Sequence, residues 1–117
     1  MKVSKTSITL GLLSLLMLVL TACGTSTLKV DLIANDIEWN ITTINAKVNQ
    51  QIEITVTNAG ALDHDLVIDE LGVDILLAPG DTEVVSVTVD HAGTIQYICS
   101  IPGHEEAGMV GEIVVTE

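Results

Sequence analysis

The chain has 117 residues, four Lys+Arg against sixteen Asp+Glu, a formal net charge of −12, one Trp, one Tyr and no Phe. That length suits one domain and not two. With so few cations there is no basic patch to displace counterions, so nucleic acid is excluded as a partner. An anionic bilayer repels such a chain unless something other than charge holds it there.

Lys2 and Lys5 open the chain, and a Leu-rich apolar stretch runs from Ile8 to Leu20. It is too short to span a bilayer comfortably and has the layout of an export signal. It ends in Leu20-Thr21-Ala22-Cys23, which resembles the lipobox of bacterial lipoproteins. The resemblance implies a signal over 1–22 that is cut before Cys23, with the Cys23 thiol carrying lipid such as palmitate. Residues 23–27 then form a short polar tether, and 28–117 the domain proper. Loss of the signal removes two lysines and no acid, leaving Lys29 and Lys47 against every carboxylate. The expected location is exported: lipid-anchored on the outer face of the cell membrane, or in the periplasm.

Beyond the tether the pattern has period two. Leu28, Val30 and Leu32 alternate with Lys29 and Asp31, and Trp39 falls in a short strand over 36–40 as a core or core-edge filler. Ile52, Ile54 and Val56 form a second alternating set, and Val85, Val87 and Val89 a third. Each reads as a strand with one buried face. His64 to Ile68, Thr94 to Cys99 and Val110 to Thr116 are further strands. Turn residues separate them at Asn58-Ala59-Gly60, Ala78-Pro79-Gly80-Asp81, Asp90-His91-Ala92-Gly93 and Ile101-Pro102-Gly103. Short strands spaced in this way predict an all-β fold, a Greek-key β-sandwich or barrel.

With Cys23 assigned to lipid, Cys99 is left alone. A single thiol in an oxidising compartment calls for a metal or a partner. Cys99 opens Cys-x4-His-x4-Met, with His104 and Met109, between two strands, and His64 begins a third strand. Pro102 and Gly103 set the bend of the loop, and Gly108 is expected to allow a close backbone approach. Taken singly, each of the four is ordinary: a buried Cys is inert, and a Met in an apolar stretch fills core. His91, in a turn, is read as solvated. Taken together, a thiolate, a thioether and two imidazoles suit copper in both oxidation states. Zinc rarely takes Met, and a cysteine hydrolase needs an oxyanion hole, commonly at a helix start, for which no helix is predicted. Multicopper chemistry needs more than the chain's three His.

The segment Tyr97-x-Cys99-Ser100-x-Pro102-Gly103-His104-x-x-x-Gly108-Met109-x-Gly111 resembles the metal loop of the cupredoxins, of the auracyanin and rusticyanin type more than plastocyanin. The resemblance implies one type 1 copper held by His64, Cys99, His104 and Met109, with Met109 axial. A dinuclear copper centre needs a second Cys where Gly103 stands. Asp65 departs from the Asn common after the first His. It accepts hydrogen bonds from loop amides but cannot donate one. Asp65, Ser100 and Tyr97 are expected around the ligands, Tyr97 beneath them. The implied activity is electron transfer rather than catalysis, through the edge of His104. Leu62, Ala107 and Val110 would give apolar docking contact, and Glu105 and Glu106 would steer a basic partner, such as a c-type cytochrome or a membrane oxidase or reductase. The competing reading is copper storage or delivery.

Overall fold

The computed structural model describes residues 24–117; the signal expected over 1–22 and the lipid site expected at Cys23 lie outside the described residues. Nine strands follow in order: β1 Leu28–Asn35, β2 Glu38–Trp39, β3 Thr43–Lys47, β4 Gln51–Asn58, β5 His64–Ile68, β6 Val73–Leu77, β7 Thr82–Thr88, β8 Gly93–Ile98 and β9 Val110–Thr116. A 3₁₀ turn at Asp69–Leu71 joins β5 to β6. The strands form two mixed sheets, β2-β1-β4-β7 and β3-β9-β8-β5-β6, packed as a Greek-key β-sandwich.

The alternation decides which face is buried. On β4, Ile52, Ile54, Val56 and Asn58 point inward while Gln51, Glu53, Thr55 and Thr57 point away. Leu32, Leu66, Ile68, Leu77, Ile95 and Ile113 meet them to make an aliphatic core. Two pairs are parallel: β1 with β4, from Leu28↔Ile52 to Ala34↔Asn58, and β3 with β9. A parallel pair cannot be closed by a tight hairpin. Between β1 and β4 the chain therefore crosses to the opposite sheet as β3 and returns.

The strand expected over 36–40 is only Glu38–Trp39. The Asn40 side chain ends it: Oδ1 accepts the Ile33 amide at 2.6 Å and Nδ2 donates to the Asp31 carbonyl at 3.1 Å. A side chain there takes the hydrogen bonds a longer strand would have made. Trp39 is buried, as a core filler should be. Two strands gave no sequence signal. β3 buries only Ile44 and Ala46, and β6 is a sheet edge that leaves Leu76 67% exposed.

The two ends of the sandwich differ. At one, the start of β1 is clamped to the start of β4: Gln50 Nε2 donates to the Ser26 carbonyl at 2.9 Å, and Thr27 Oγ1 to Gln51 Oε1 at 3.2 Å. At the other lie Asn58 and His64. The run of β1 from Leu28 to Ala34 separates these poles by about 20 Å at the usual strand rise.

Tyr97 sits opposite Gly111 across β8 and β9. Its ring fills the space where a Gly111 Cβ would be, and its edge meets Trp39 at a centroid distance of 6.1 Å. The hydroxyl donates to the Ile41 carbonyl at 2.5 Å. Burial pushes the Tyr97 pKa up to about 12, so this donor keeps its proton. Gly111→Ala should overpack this site and cost about 1–3 kcal/mol, read as a lower urea midpoint of the metal-free protein; an unchanged midpoint would show that the ring moves aside freely.

Candidate metal centre

Three of the proposed ligands meet at the pole away from the clamp. His64 is the first residue of β5, Cys99 follows β8 directly, and His104 lies on the loop back to β9. Cys99 Sγ is 3.4 Å from His104 Nδ1 and 3.7 Å from His64 Nδ1. The possible ligand atoms of the three all lie within 4.8 Å of one another. Cys99 and His64 are fully buried, and His104 keeps 6% of its surface exposed.

The loop is held by its own backbone. The His104 amide donates to the Ile101 carbonyl at 2.9 Å and the Gly108 amide to the Glu105 carbonyl at 2.9 Å. Met109 closes it: its amide donates to the His104 carbonyl at 3.0 Å, and its carbonyl accepts the Cys99 amide at 3.1 Å. The fourth expected ligand is thus tied through its main chain to the two others of the loop, with its side chain fully buried. Gly108 plays a different part from the one expected. No atom lies within 4 Å of its would-be Cβ; its φ of 101° is the reason for glycine there.

Asp65 joins the loop to the neighbouring strand. Its carboxylate accepts the Ser100 amide on Oδ1 and the Ser100 hydroxyl on Oδ2, each at 2.5 Å. Its amide donates to Cys99 Sγ at 3.5 Å. One residue therefore fixes the position of Ser100 and provides a donor to the sulfur. Such outer contacts orient a ligand and tune its basicity.

Asn58, which the sequence reading took only as part of a turn, proves to be the keystone of the His64 loop. It is fully buried. Nδ2 donates to the carbonyls of Leu62 at 2.8 Å and Leu77 at 3.0 Å, and Oδ1 accepts the Gly60 amide at 3.0 Å. Gly60 in turn backs onto His64: a Cβ there would lie 3.2 Å from His64 Nε2 and 3.3 Å from the Asn35 carbonyl. His64 Nε2 has no partner of normal hydrogen-bond geometry among the described residues, although the Asn35 backbone lies beside it. A proton on Nε2 directed at that backbone leaves the Nδ1 lone pair toward Cys99.

Burial acts on two groups in opposite directions. It lowers the His64 pKa, helped by the nearby His104, and raises that of Cys99. Both move toward their neutral forms, because a low-dielectric site disfavours charge. Two imidazoles and a thiol are a poor hydrogen-bonded cluster, with sulfur contacts this long. They are a good soft-donor set for a metal whose binding releases the thiol proton.

Around this pole Leu62, Glu105, Glu106 and Ala107 are exposed. Tyr97 points into the core toward Ile41 and Trp39. His91 is far from the cluster, exposed, and 2.8 Å from Asp90.

Fold and site together define a β-sandwich with a buried, mononuclear soft-metal centre at one pole. The chain belongs to the cupredoxin-like domain family, whose profile matches residues 8–115. Auracyanin from Roseiflexus castenholzii is similar in structure, with a TM-score of 0.69 at 20% identity over 80% of this chain and 100% of that one. Auracyanin A, a "blue" copper protein from Chloroflexus aurantiacus, gives 0.65 at 20% identity over 77% and 99% of the two chains. The copper-resistant cuproprotein CopI of Pseudomonas aeruginosa is 39% identical over 41 residues, which are 35% of this chain and 23% of that protein. The chain thus matches about a quarter of that curated relative's length. The cofactor that this family and the His64–Cys99–His104 group take is one type 1 copper.

Asp65→Asn keeps one acceptor for the Ser100 amide and removes a negative charge beside the centre. The midpoint potential of the copper-loaded variant should rise by roughly 50–100 mV, the scale of a unit charge several ångströms away in partly screened surroundings. Protein-film voltammetry would read it; an equal potential would mean that Asp65 is structural alone.

Proposed function

We propose that the protein is a lipid-anchored single-electron carrier and not an enzyme. The observation that carries the reading is the convergence of His64 Nδ1, Cys99 Sγ and His104 Nδ1 at one buried pole. These three, together with the Met109 thioether, would hold the metal. Copper bound there supplies one-electron chemistry between Cu(I) and Cu(II).

The chain's own residues do the rest. The sheets and the Met109 backbone ties hold the donors in one place, so little of the protein reorganises when the charge changes. Leu66 and Leu77, fully buried, belong to the apolar packing that keeps water out. The Asp65 amide, aimed at the Cys99 sulfur, offsets part of a thiolate's charge. His104, with its slightly exposed edge, is the route by which an electron enters and leaves. Leu62 and Ala107 give a partner apolar contact beside it. Glu105 and Glu106, both exposed, steer a basic partner such as a c-type cytochrome or an oxidase or reductase domain. The lipobox-like Leu20-Thr21-Ala22-Cys23 supports export and anchoring.

Copper storage or delivery is the second reading, favoured by the similarity to a cuproprotein named for copper resistance. Against it stands the methionine count: of three, Met1 and Met17 precede Cys23, which leaves Met109 alone and no Met-rich exchange site.

Residues 24–117 given one equivalent of Cu(II) should turn intensely blue or green and bleach with ascorbate, and Cys99→Ser should stay colourless. A colourless wild-type protein that still binds copper would favour storage or delivery. Electron transfer with a basic cytochrome should slow with added salt, and do so less in the Glu105→Gln/Glu106→Gln variant. A rate indifferent to salt would remove the steering role.

A further inference from the structure

We propose that the domain stands on the bilayer by its tether pole and turns its metal pole to the water, so that its redox partner is a soluble basic protein. This rests on the lipid-anchored reading above and adds an orientation to it.

The first support is the length of the leash. Ser26 and Thr27 are bound to Gln50 and Gln51 at the foot of β1 and β4. Only Gly24 and Thr25 stand between that clamp and Cys23. Cys23 to Ser26 spans at most about 11 Å when extended. The pole of Gln50 and Gln51 is therefore kept next to the lipid. The metal pole lies a strand length farther, about 20 Å.

A leash alone permits the domain to lie on its side. The charge distribution opposes that. Asp36, Glu38, Asp63, Asp81, Glu105 and Glu106 stand at the metal pole, and none takes part in an ion pair among the described residues. In the tether half the charges are mixed: Asp69 and Glu70 stand unpaired among the described residues, but other acids there have a cationic or titratable neighbour. Glu53 pairs with Lys29 at 3.3 Å and Asp90 with His91 at 2.8 Å, and Lys47 Nζ donates to the Glu117 carbonyl at 2.5 Å. Both lysines of the mature domain thus lie in the tether half. Over a bilayer with anionic headgroups the field repels the metal pole, with its six unpaired carboxylates and no lysine, more than the tether half that holds Lys29 and Lys47, which turns the metal pole outward. A membrane-embedded partner would have to approach past the tether pole, whereas a soluble one meets His104 directly.

Trp39 provides the test, because it is the chain's only tryptophan and pairs with Ala34 at the metal-pole end of β1. The full chain, processed by its host and kept free of copper, is reconstituted into phosphatidylethanolamine–phosphatidylglycerol vesicles carrying nitroxide headgroups. Trp39 emission should be retained. Ala92→Trp, on the exposed turn at the tether pole, should add emission that the nitroxide abolishes. Loss of Trp39 emission to the same extent would overturn the orientation while leaving the anchor intact. Flotation separates the two ideas: wild-type protein that fails to float with vesicles, or that floats equally well as Cys23→Ser, overturns the anchor and the orientation with it.

Discussion

The closing of the 99–109 loop between two hydrogen-bonded neighbours is the constraint on which the rest depends. β8 and β9 pair up to Ile98↔Val110, and the Cys99 amide continues that pairing onto the Met109 carbonyl. The sheet's own ladder thus fixes the two ends of the loop, and His104 is carried between them by turns of its own backbone. His64 comes from β5, which pairs with β8 at Val67↔Ile98. Adjacent strands of one sheet provide the whole cluster. The opposite sheet contributes support instead, through Asn58 at the end of β4 and Asn35 at the end of β1.

Much of this was legible in the sequence, and the reasons differ by element. β4 was clear because strict alternation over its residues leaves little choice of buried face. The group of His64, Cys99 and His104 was clear because soft and borderline donors in that order inside a β pattern have few other uses. β3 and β6 were not legible. A strand with two small or medium apolar residues, and an edge strand with an outward Leu76, give no periodic contrast. Asn58 was hidden for another reason. In sequence it is one more turn residue before Ala59-Gly60, and only the fold reveals that its amide reaches carbonyls both four and nineteen residues away. Asn40 is the same case, a polar side chain whose partners are backbone groups brought near by folding.

A single physical cause runs through the electrostatics. Burial favours neutral forms, so the His64 pKa falls while those of Cys99 and Tyr97 rise. At the sulfur the backbone amides of Asp65 and Ile101 work against that trend, whereas the Asp65 carboxylate reinforces it there and opposes it only at His64. The Asp65 amide faces the sulfur, and the carboxylate of the same residue holds Ser100 beside it. A chain that excludes water from the site and then places a charged side chain at its rim has two independent controls over the metal's preference for its higher or lower charge.

The position of β9 has a consequence for the order of assembly. It is the last described strand, yet it lies inside its sheet, with β3 on one side in parallel and β8 on the other. Until residues 110–116 arrive, β3 has no neighbour in its sheet and the 99–109 loop has no second anchor. Pairings this distant in sequence form late and slowly. A chain emerging N-terminus first therefore cannot build a finished copper pocket before residues 110–116 have emerged. The metal trap is complete only once that strand has paired with β3 and β8.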